Sequence, residues 1–459
     1  MILNLFFMLN LFVSSLQQDQ LLMVIEVCRH GARSPIIQDD NLTQTYWDMG
    51  LGMLTNVGMR QHYLLGSEIR HRYIEDQHLL DSEYNAEQIE IYSTLMERTY
   101  HSAISQFSGI YPDIQQNFKD KKLSETQLNR AILPILRDTD QDYQKLLLQV
   151  NQELGDNIST DLYAHPHVNQ LKHYYNFAKS QYIEDLKCPF RDQIRDEFSM
   201  HSSSTGEFKA IYQRANLMLQ KIQLTLNITN KKVDPDSIID QIQMAQANGL
   251  KMPFTLTDQD YQTINDFRRY DLSTKFALKK DAALFDTQEI RRLMSEKLIL
   301  RATNTTNNRL IILSLHDTDI SVLLFTIDQP QNEQSPVATT IFFELHKSFN
   351  TSQSQLYVKA IYNDKQLNLH KYCYDTDNST KFTPYLCDYE TFISKLQGDQ
   401  FNCQIQTNSE TKLSNIQIYG ILFGLLALLL VLVIIGYWIV KRSIKNKEGL
   451  KKKEFFAFN

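Results

Sequence analysis

Outside residues 441–453 the sequence has no basic cluster, and its formal net charge is −6. Nucleic-acid binding needs a cationic face, so that class is excluded for the large N-terminal portion. With no internal repeat and no low-complexity tract, the 459 residues are too many for one hydrophobic core and enough for two domains of ordinary size. Cysteine is scarce, five in all. Cys188, Cys373, Cys387 and Cys403 suffice for two bridges in an oxidising compartment, while Cys28, in the apolar run "VIEVC", reads as a packed free thiol. The histidines of "HPH", His165 to His167, with His173 nearby, lack a third ligand at a convincing spacing, so no metal is expected. No cofactor is expected either.

The amino terminus lacks the usual basic start of a secretory leader. Even so, Ile2 to Leu16, "ILNLFFMLNLFVSSL", is apolar, too short to span a bilayer and closed by small and polar residues, so residues 1–17 are expected to be a cleaved signal peptide. Residues 418–440, "IYGILFGLLALLLVLVIIGYWIV", carry no charge and are long enough for one membrane span. Seven Lys or Arg follow between Lys441 and Lys453, which places the 441–459 tail in the cytosol and the N-terminal portion in the lumen or outside the cell, a single-pass type I arrangement. Sequons at Asn41, Asn157, Asn227, Asn304, Asn350 and Asn378 agree with export. The tail has no Tyr-x-x-apolar signal, so lysosome, other acidic vesicle and cell surface stay open.

Two apolar runs of strand length, Leu21 to Val27 and Arg309 to Leu315, each lead to a histidine. Loops leaving parallel strands converge at the carboxyl edge of an α/β sheet. The expected core, residues 18–114 and 252–406, is a mainly parallel sheet flanked by helices. Residues 115–251 read as an inserted helical cap: Tyr143, Leu146, Leu147, Val150 and Leu154 share one helical face, as do Phe208, Ile211, Tyr212, Ala215 and Ile222. Asn248-Gly249 is a helix stop and Thr257 a helix cap. Thr340 to His346 against Leu356 to Tyr362 reads as a hairpin at a sheet edge, and residues 407–417 as a stalk.

The loop after the first run, "RHGARSP", holds Arg29, His30 and Arg33 around Gly31. Guanidiniums grip phosphate oxygens by paired, charge-assisted hydrogen bonds, and a neutral imidazole between them can attack phosphorus. Gly31 permits close approach of an anion or an unusual turn. "YSTLMERTYHSA" offers Arg98 as a further phosphate ligand, and "SLHDTDISVL" offers His316 and Asp317. His62 and His71 read as packing or surface residues, with His62 near enough to the motif to support it.

These segments resemble the histidine acid phosphatases of the lysosomal and prostatic type, branch 2 of the histidine phosphatase superfamily. The family motif Arg-His-Gly-x-Arg-[Ser/Thr]-Pro is complete at Arg29 to Pro35. The His-Asp pair matches His316 and Asp317, the third arginine segment matches Ser93, Thr94 and Arg98, and Leu54 to Tyr73 resembles the helix after the first loop. The resemblance implies His30 as nucleophile and Asp317 as proton donor. It implies Arg29, Arg33, Arg98 and His316 as phosphate ligands, and the bridges Cys188–Cys403 and Cys373–Cys387. The substrate would be a small-molecule or protein phosphomonoester, with a homodimer admitted as a further partner. A phytase or inositol-polyphosphate phosphatase is the alternative within enzymes, and an inactive receptor-like ectodomain the alternative outside them.

Overall fold

The computed structural model describes residues 19–37, 47, 50–112, 172–173, 193, 206–228, 235–270, 280–331, 333–348, 355–374 and 384–398. The leader, stalk, membrane segment and tail lie outside these residues, as do Cys188, Cys403, His165, His167 and the sequons Asn41, Asn157, Asn350 and Asn378. No helix among the described residues is long and apolar enough to cross a membrane.

Among the described residues, eight strands form one sheet: β1 (Gln20–Arg29), β2 (Ile89–Ser93), β3 (Lys172–His173), β4 (Leu310–Leu315), β5 (Thr340–Ser348), β6 (Gln355–Tyr362), β7 (Lys365–Gln366) and β8 (Leu386–Asp388). The order is β3-β2-β4-β1-β5-β6-β7, with β8 on β6. The sheet is mixed rather than mainly parallel. Strands β3, β2, β4 and β1 pair in parallel, whereas β5 joins β1 antiparallel and the remaining pairs are antiparallel. Two strands joined by a short connection can only lie antiparallel, and this hairpin docks directly on β1. Its register is close to the expected one, with Ile341 opposite Tyr362 and His346 opposite Tyr357. The edge strand β3 was not legible, since two residues carry no periodicity.

Strand β1 is buried on both faces, which is why its sequence is nearly continuous in apolar residues. Met23, Ile25 and Val27 pack with Ile311, Leu313, Phe343 and helix residues Met294 and Leu323. Val24 and Cys28 face the opposite layer, with Leu64, Leu65, Ala103 and Phe107. The described helices are α1 (Asn56–Arg70), α2 (Glu97–Ile110), α3 (Gly206–Thr225), α4 (Pro235–Ala247), α5 (Asp258–Arg269), α6 (Lys280–Asp286), α7 (Gln288–Ala302), α8 (Asp317–Thr326), α9 (His370–Cys373) and α10 (Tyr389–Gln397). Helices α1 and α2 cover one face of the sheet, and α7, α8 and α10 the other.

Helices α3, α4 and α5 build their own cluster around Ile211, Ala215, Leu219, Ile238, Ile242, Ile264 and Phe267. Because α5 and Phe254 belong to it, the expected boundary at residue 251 cuts through this cluster. Tyr212, placed on the buried face by periodicity, is 37% exposed. Thr257 caps α5 through a reciprocal pair with Asp260, and Gly249 takes a left-handed conformation just beyond α4, as the local sequence indicates. Cys373 and Cys387 are joined by a disulfide, and Cys28 is free and buried. Asn227 and Asn304 lie exposed in left-handed turns after α3 and α7.

Candidate active site

Strands β1, β2 and β4 run in one direction, so the loops that leave them meet at one edge of the sheet. There His30 N–H donates to Leu315 O (3.0 Å), and Arg29 N–H to Thr339 O (2.8 Å). The segment before β5 reaches the same edge because β5 runs the other way. All six expected site residues come together here.

Arg29 ends β1 and is almost fully buried. One guanidinium nitrogen donates to Ser335 O, and Nη2 lies 3.1 Å from Asp317 Oδ2. His30 is 2% exposed, and its Nδ1 sits 2.8 Å from Gly31 O. A carbonyl only accepts, so Nδ1 carries the hydrogen and Nε2 keeps its lone pair for an electrophile. Burial, then the charges of Arg98 and Arg29, with His316 and Arg33 adding, hold the His30 pKa well below that of an ordinary imidazole. Its ring packs edge-on to His316, with centroids 5.5 Å apart. His316 is fixed in turn by Thr94 Oγ1 at 3.0 Å from Nε2.

Arg33 makes a two-pronged ion pair with Asp240 of α4, at 2.7 and 3.1 Å. Arg98 extends from the start of α2, with Nη1 3.4 Å from Gly52 O; burial first, then neighbouring Arg33, lowers its pKa to about 10. The Nε–H groups of Arg29, Arg33 and Arg98 are buried without a hydrogen-bond partner among the described residues. Buried donors of this kind cost free energy unless something accepts from them, and a phosphoryl group offers several oxygens. Asp317, the first residue of α8, accepts from Thr318 N–H (2.9 Å) and from Gln334 Nε2 (2.8 Å). Burial favours its acid form but is outweighed by Arg29 and His30, so its pKa lies well below the usual carboxylate range.

Gly31 serves a purpose beyond those expected. A Cβ there would lie 2.4 Å from Gly58 O, and one on Gly58 would lie 2.1 Å from Ala32 O. Both glycines are required because the motif loop packs backbone to backbone on α1, and Gly31 does not take a positive φ, so a special turn is not the reason. Thr55 caps α1, and Asn248, just past α4, accepts from Thr55 Oγ1 (2.5 Å) and donates to Arg33 O (3.0 Å). Asn248, Asp240, Gln334 and Ser335 are thus site residues that no motif marked. The only signal at any of them was the helix stop at Asn248.

Behind the loop, His62 Nε2 lies 3.0 Å from Arg29 O and Nδ1 3.2 Å from Gln106 Oε1; Gln106 also contacts Glu26, which accepts from Thr340 Oγ1 at 2.8 Å. Burial pushes Glu26 up to about 7, the two hydrogen bonds offsetting part of it, and lowers His62 to about 4. Between its ordinary 4.5 and 7 the folded chain keeps a proton on Glu26 that the unfolded chain releases, so this group's contribution to stability falls as pH rises through that window. His62 acts oppositely, costing stability as pH falls from its ordinary 6.5 towards 4. Replacing Glu26 by Gln should therefore improve stability relative to wild type by about 2 kcal/mol more at pH 8 than at pH 5. Denaturant melts at the two pH values check this; a difference that does not change with pH removes Glu26 as the source.

Among the described residues, no group of His, Cys, Asp and Glu is arranged to hold a metal ion. The helix-flanked mixed sheet thus sets one histidine beside three arginines, Arg29, Arg33 and Arg98, at the carboxyl edge of its parallel strands. Residues 20–363 match the family model of the histidine phosphatase superfamily (branch 2), and the chain belongs to that family. Its sequence is 24% identical to lysosomal acid phosphatase of Pongo abelii over 336 residues, 72% of this chain and 68% of that protein. It is 40% identical to prostatic acid phosphatase of Mus musculus over 107 residues, 23% of this chain and 27% of that protein. The fold is shared with the phytase from Citrobacter braakii, with a TM-score of 0.52 at 16% identity, covering 82% of this chain and 97% of that one. The protein is a phosphatase of the histidine acid phosphatase type.

Proposed function

We propose that the protein hydrolyses phosphomonoesters in two displacements, with His30 as nucleophile and Asp317 as proton donor. The observation that carries this reading is the orientation of His30: Nδ1 is committed to Gly31 O, and Nε2 is left beside arginines with unsatisfied donors. In the first step His30 Nε2 bonds to phosphorus as the ester P–O bond breaks; the bonding pair leaves with the ester oxygen, which takes a proton from Asp317. In the second step a water oxygen attacks phosphorus, its proton passes to the Asp317 carboxylate, and the N–P pair returns to His30. Arg29, Arg33, Arg98 and His316 hold the phosphoryl oxygens.

A broad monoesterase is favoured over a phytase because Arg33 and Arg268, on the cap side of the site, are each engaged by a carboxylate, of Asp240 and Asp236. Among the described residues, much of the positive charge these two bring to the cap side is therefore already balanced. An inactive receptor would lack one of the reacting groups, and the set is complete. Similarity to lysosomal acid phosphatases supports a lumenal enzyme, and the apolar segment 418–440 supports a type I anchor. The exposed Asn227 and Asn304 are the described candidates for glycosylation. Assay of the full-length protein on a panel of phosphomonoesters including phytate tests the reading; phytate as the preferred substrate would replace it by the phytase alternative.

Arg98→Ala should lower the rate by on the order of a hundredfold or more, since it removes a preorganised charge from the transferring group. Steady-state kinetics checks it, and a variant as active as wild type would make Arg98 a structural residue.

A further inference from the structure

A chain of side chains runs from the helical cluster to the carboxylate of Asp317. Arg268 Nε donates to Gln243 Oε1 (3.1 Å), Gln243 Nε2 to Gln334 Oε1 (3.0 Å), and Gln334 Nε2 to Asp317 Oδ2 (2.8 Å). A guanidinium has donors and no acceptor, so it fixes the sense of each amide that follows. Gln243 must turn its oxygen to Arg268 and its nitrogen to Gln334. Gln334 must then turn its nitrogen to Asp317. Arg268 is itself held by Asp236, 2.5 Å from Nη1, and lies 3.7 Å from Asp240.

The two oxygens of Asp317 therefore differ. Oδ2 receives Gln334 and also Arg29 Nη2 at 3.1 Å, which occupies both of its lone pairs. Oδ1 receives Thr318 N–H and keeps one lone pair. We propose that Gln334, oriented through Gln243 by Arg268, is a positioning residue that makes Oδ1 the oxygen carrying the transferable proton, and so ties proton donation to the seating of α4 and α5. This rests on the reading of Asp317 as the donor. When the Oδ1–H bond breaks, its proton goes to the ester oxygen, which leaves with the P–O electron pair; the carboxylate left behind is held by Gln334, Arg29 and Thr318 N–H. The charged or titratable groups bearing on Asp317 are Arg29 from β1, His30 and Arg33 from the motif loop, and Arg98 from α2. Gln334 adds a neutral donor that does not change with pH.

The test is the kinetics of the full-length protein on glycerol phosphate, whose leaving group needs a proton, and p-nitrophenyl phosphate, whose leaving group needs little help. Gln334→Leu should lower kcat on glycerol phosphate about tenfold more than on p-nitrophenyl phosphate, and Gln243→Leu about threefold more. Both substitutions cut one chain, so the double variant should lose no more than Gln334→Leu alone. Gln243→Glu keeps size but removes the N–H, so Gln334 turns its oxygen to Asp317 and draws the proton to Oδ2. Its glycerol phosphate turnover should fall, and the alkaline limb of kcat, which reports Asp317 with substrate bound, should move up by about one pH unit. The substrate ratio does not depend on the folded fraction, and Gln243→Leu, farther from the site, serves if Gln334→Leu does not fold. Equal losses on both substrates, or additive losses, overturn the relay. Asp317→Asn measured alongside separates the two ideas: if it too fails to discriminate between substrates, the donor reading falls; if it discriminates and Gln334→Leu does not, only the relay falls.

Discussion

His30→Ala is expected to lose turnover by on the order of ten thousandfold or more, the scale on which removal of a covalent nucleophile acts. The arginines would remain, so phosphate binding should survive largely intact, and the loss should fall on kcat more than on affinity. In wild type, quenching without acid a reaction with a radiolabelled phosphomonoester should trap the label on His30. The acid-free quench matters because a phosphoramidate hydrolyses in acid. Label on serine, or label persisting in His30→Ala, would falsify the nucleophile assignment. The low pKa of His30 makes the same point from another side. Burial and the nearby arginines keep Nε2 unprotonated in mild acid, where an ordinary imidazole would be charged and unable to attack.

The second large effect is that of Asp317→Asn, and it should depend on the leaving group. The amide keeps an acceptor for one neighbouring donor but cannot give a proton, so hydrolysis of alkyl phosphates should fall by about a hundredfold or more while p-nitrophenyl phosphate loses far less. Equal loss on both substrates points to a structural role. The pH profile follows from the same group. With no substrate bound, Asp317 is ionised through the mildly acidic range, because the Arg29 charge, with the Gln334 hydrogen bond and Arg33 adding, outweighs its burial. The proton it delivers must therefore arrive with the substrate monoanion, or be taken up when the dianion enters and cancels the arginine charge. A phosphomonoester loses its second proton near pH 6, so kcat/KM should decline above about that value. The acid limb belongs to protonation of His30 and lies below its ordinary value. The profile should be a bell with its maximum at roughly pH 4 to 6. A rate that rises steadily from pH 5 to pH 8 would exclude this scheme.

What could be read from the sequence was whatever chemistry is local in the chain. Arg29, His30 and Arg33 lie within five residues, His316 and Asp317 are adjacent, and a buried strand ahead of each announces itself by unbroken apolar sequence. Thr257 and Gly249 were legible for the same reason, since a helix end is decided by a few neighbouring residues. Contacts between distant segments were not. Asp240 meets Arg33 across 207 positions, and Gln243 meets Gln334 across 91. A lone aspartate or glutamine on a helix carries no mark of the partner it will meet. The hairpin extends the sheet beyond β1, at the edge of the parallel block, as expected, but that its strands and those after it make half of the sheet antiparallel is not something alternation alone shows. Gly31 was singled out correctly, but its close packing was not foreseen, because the group that crowds it, Gly58, belongs to the next helix.

The placement of β1 in the middle of the sheet has a consequence for how the chain reaches activity. The first strand to be synthesised has β4 and β5 as its neighbours, and Arg29 meets Ser335 across 306 positions. Contacts of such long range form late, because the entropy of closing a large loop is lost before the pairing returns anything. A nascent chain that has exposed "RHGARSP" but has not yet supplied residues 310–348 has neither His316 nor Asp317, and neither of the strands that flank β1, although α1 is already made to pack on the loop. Catalytic competence therefore comes all at once near the end of folding, so recovery of phosphatase activity after denaturation reports completion of the whole sheet and not of any part of it. Until then, β1 has unpaired hydrogen-bonding edges as well as apolar faces, and needs protection from aggregation while the rest of the chain is made.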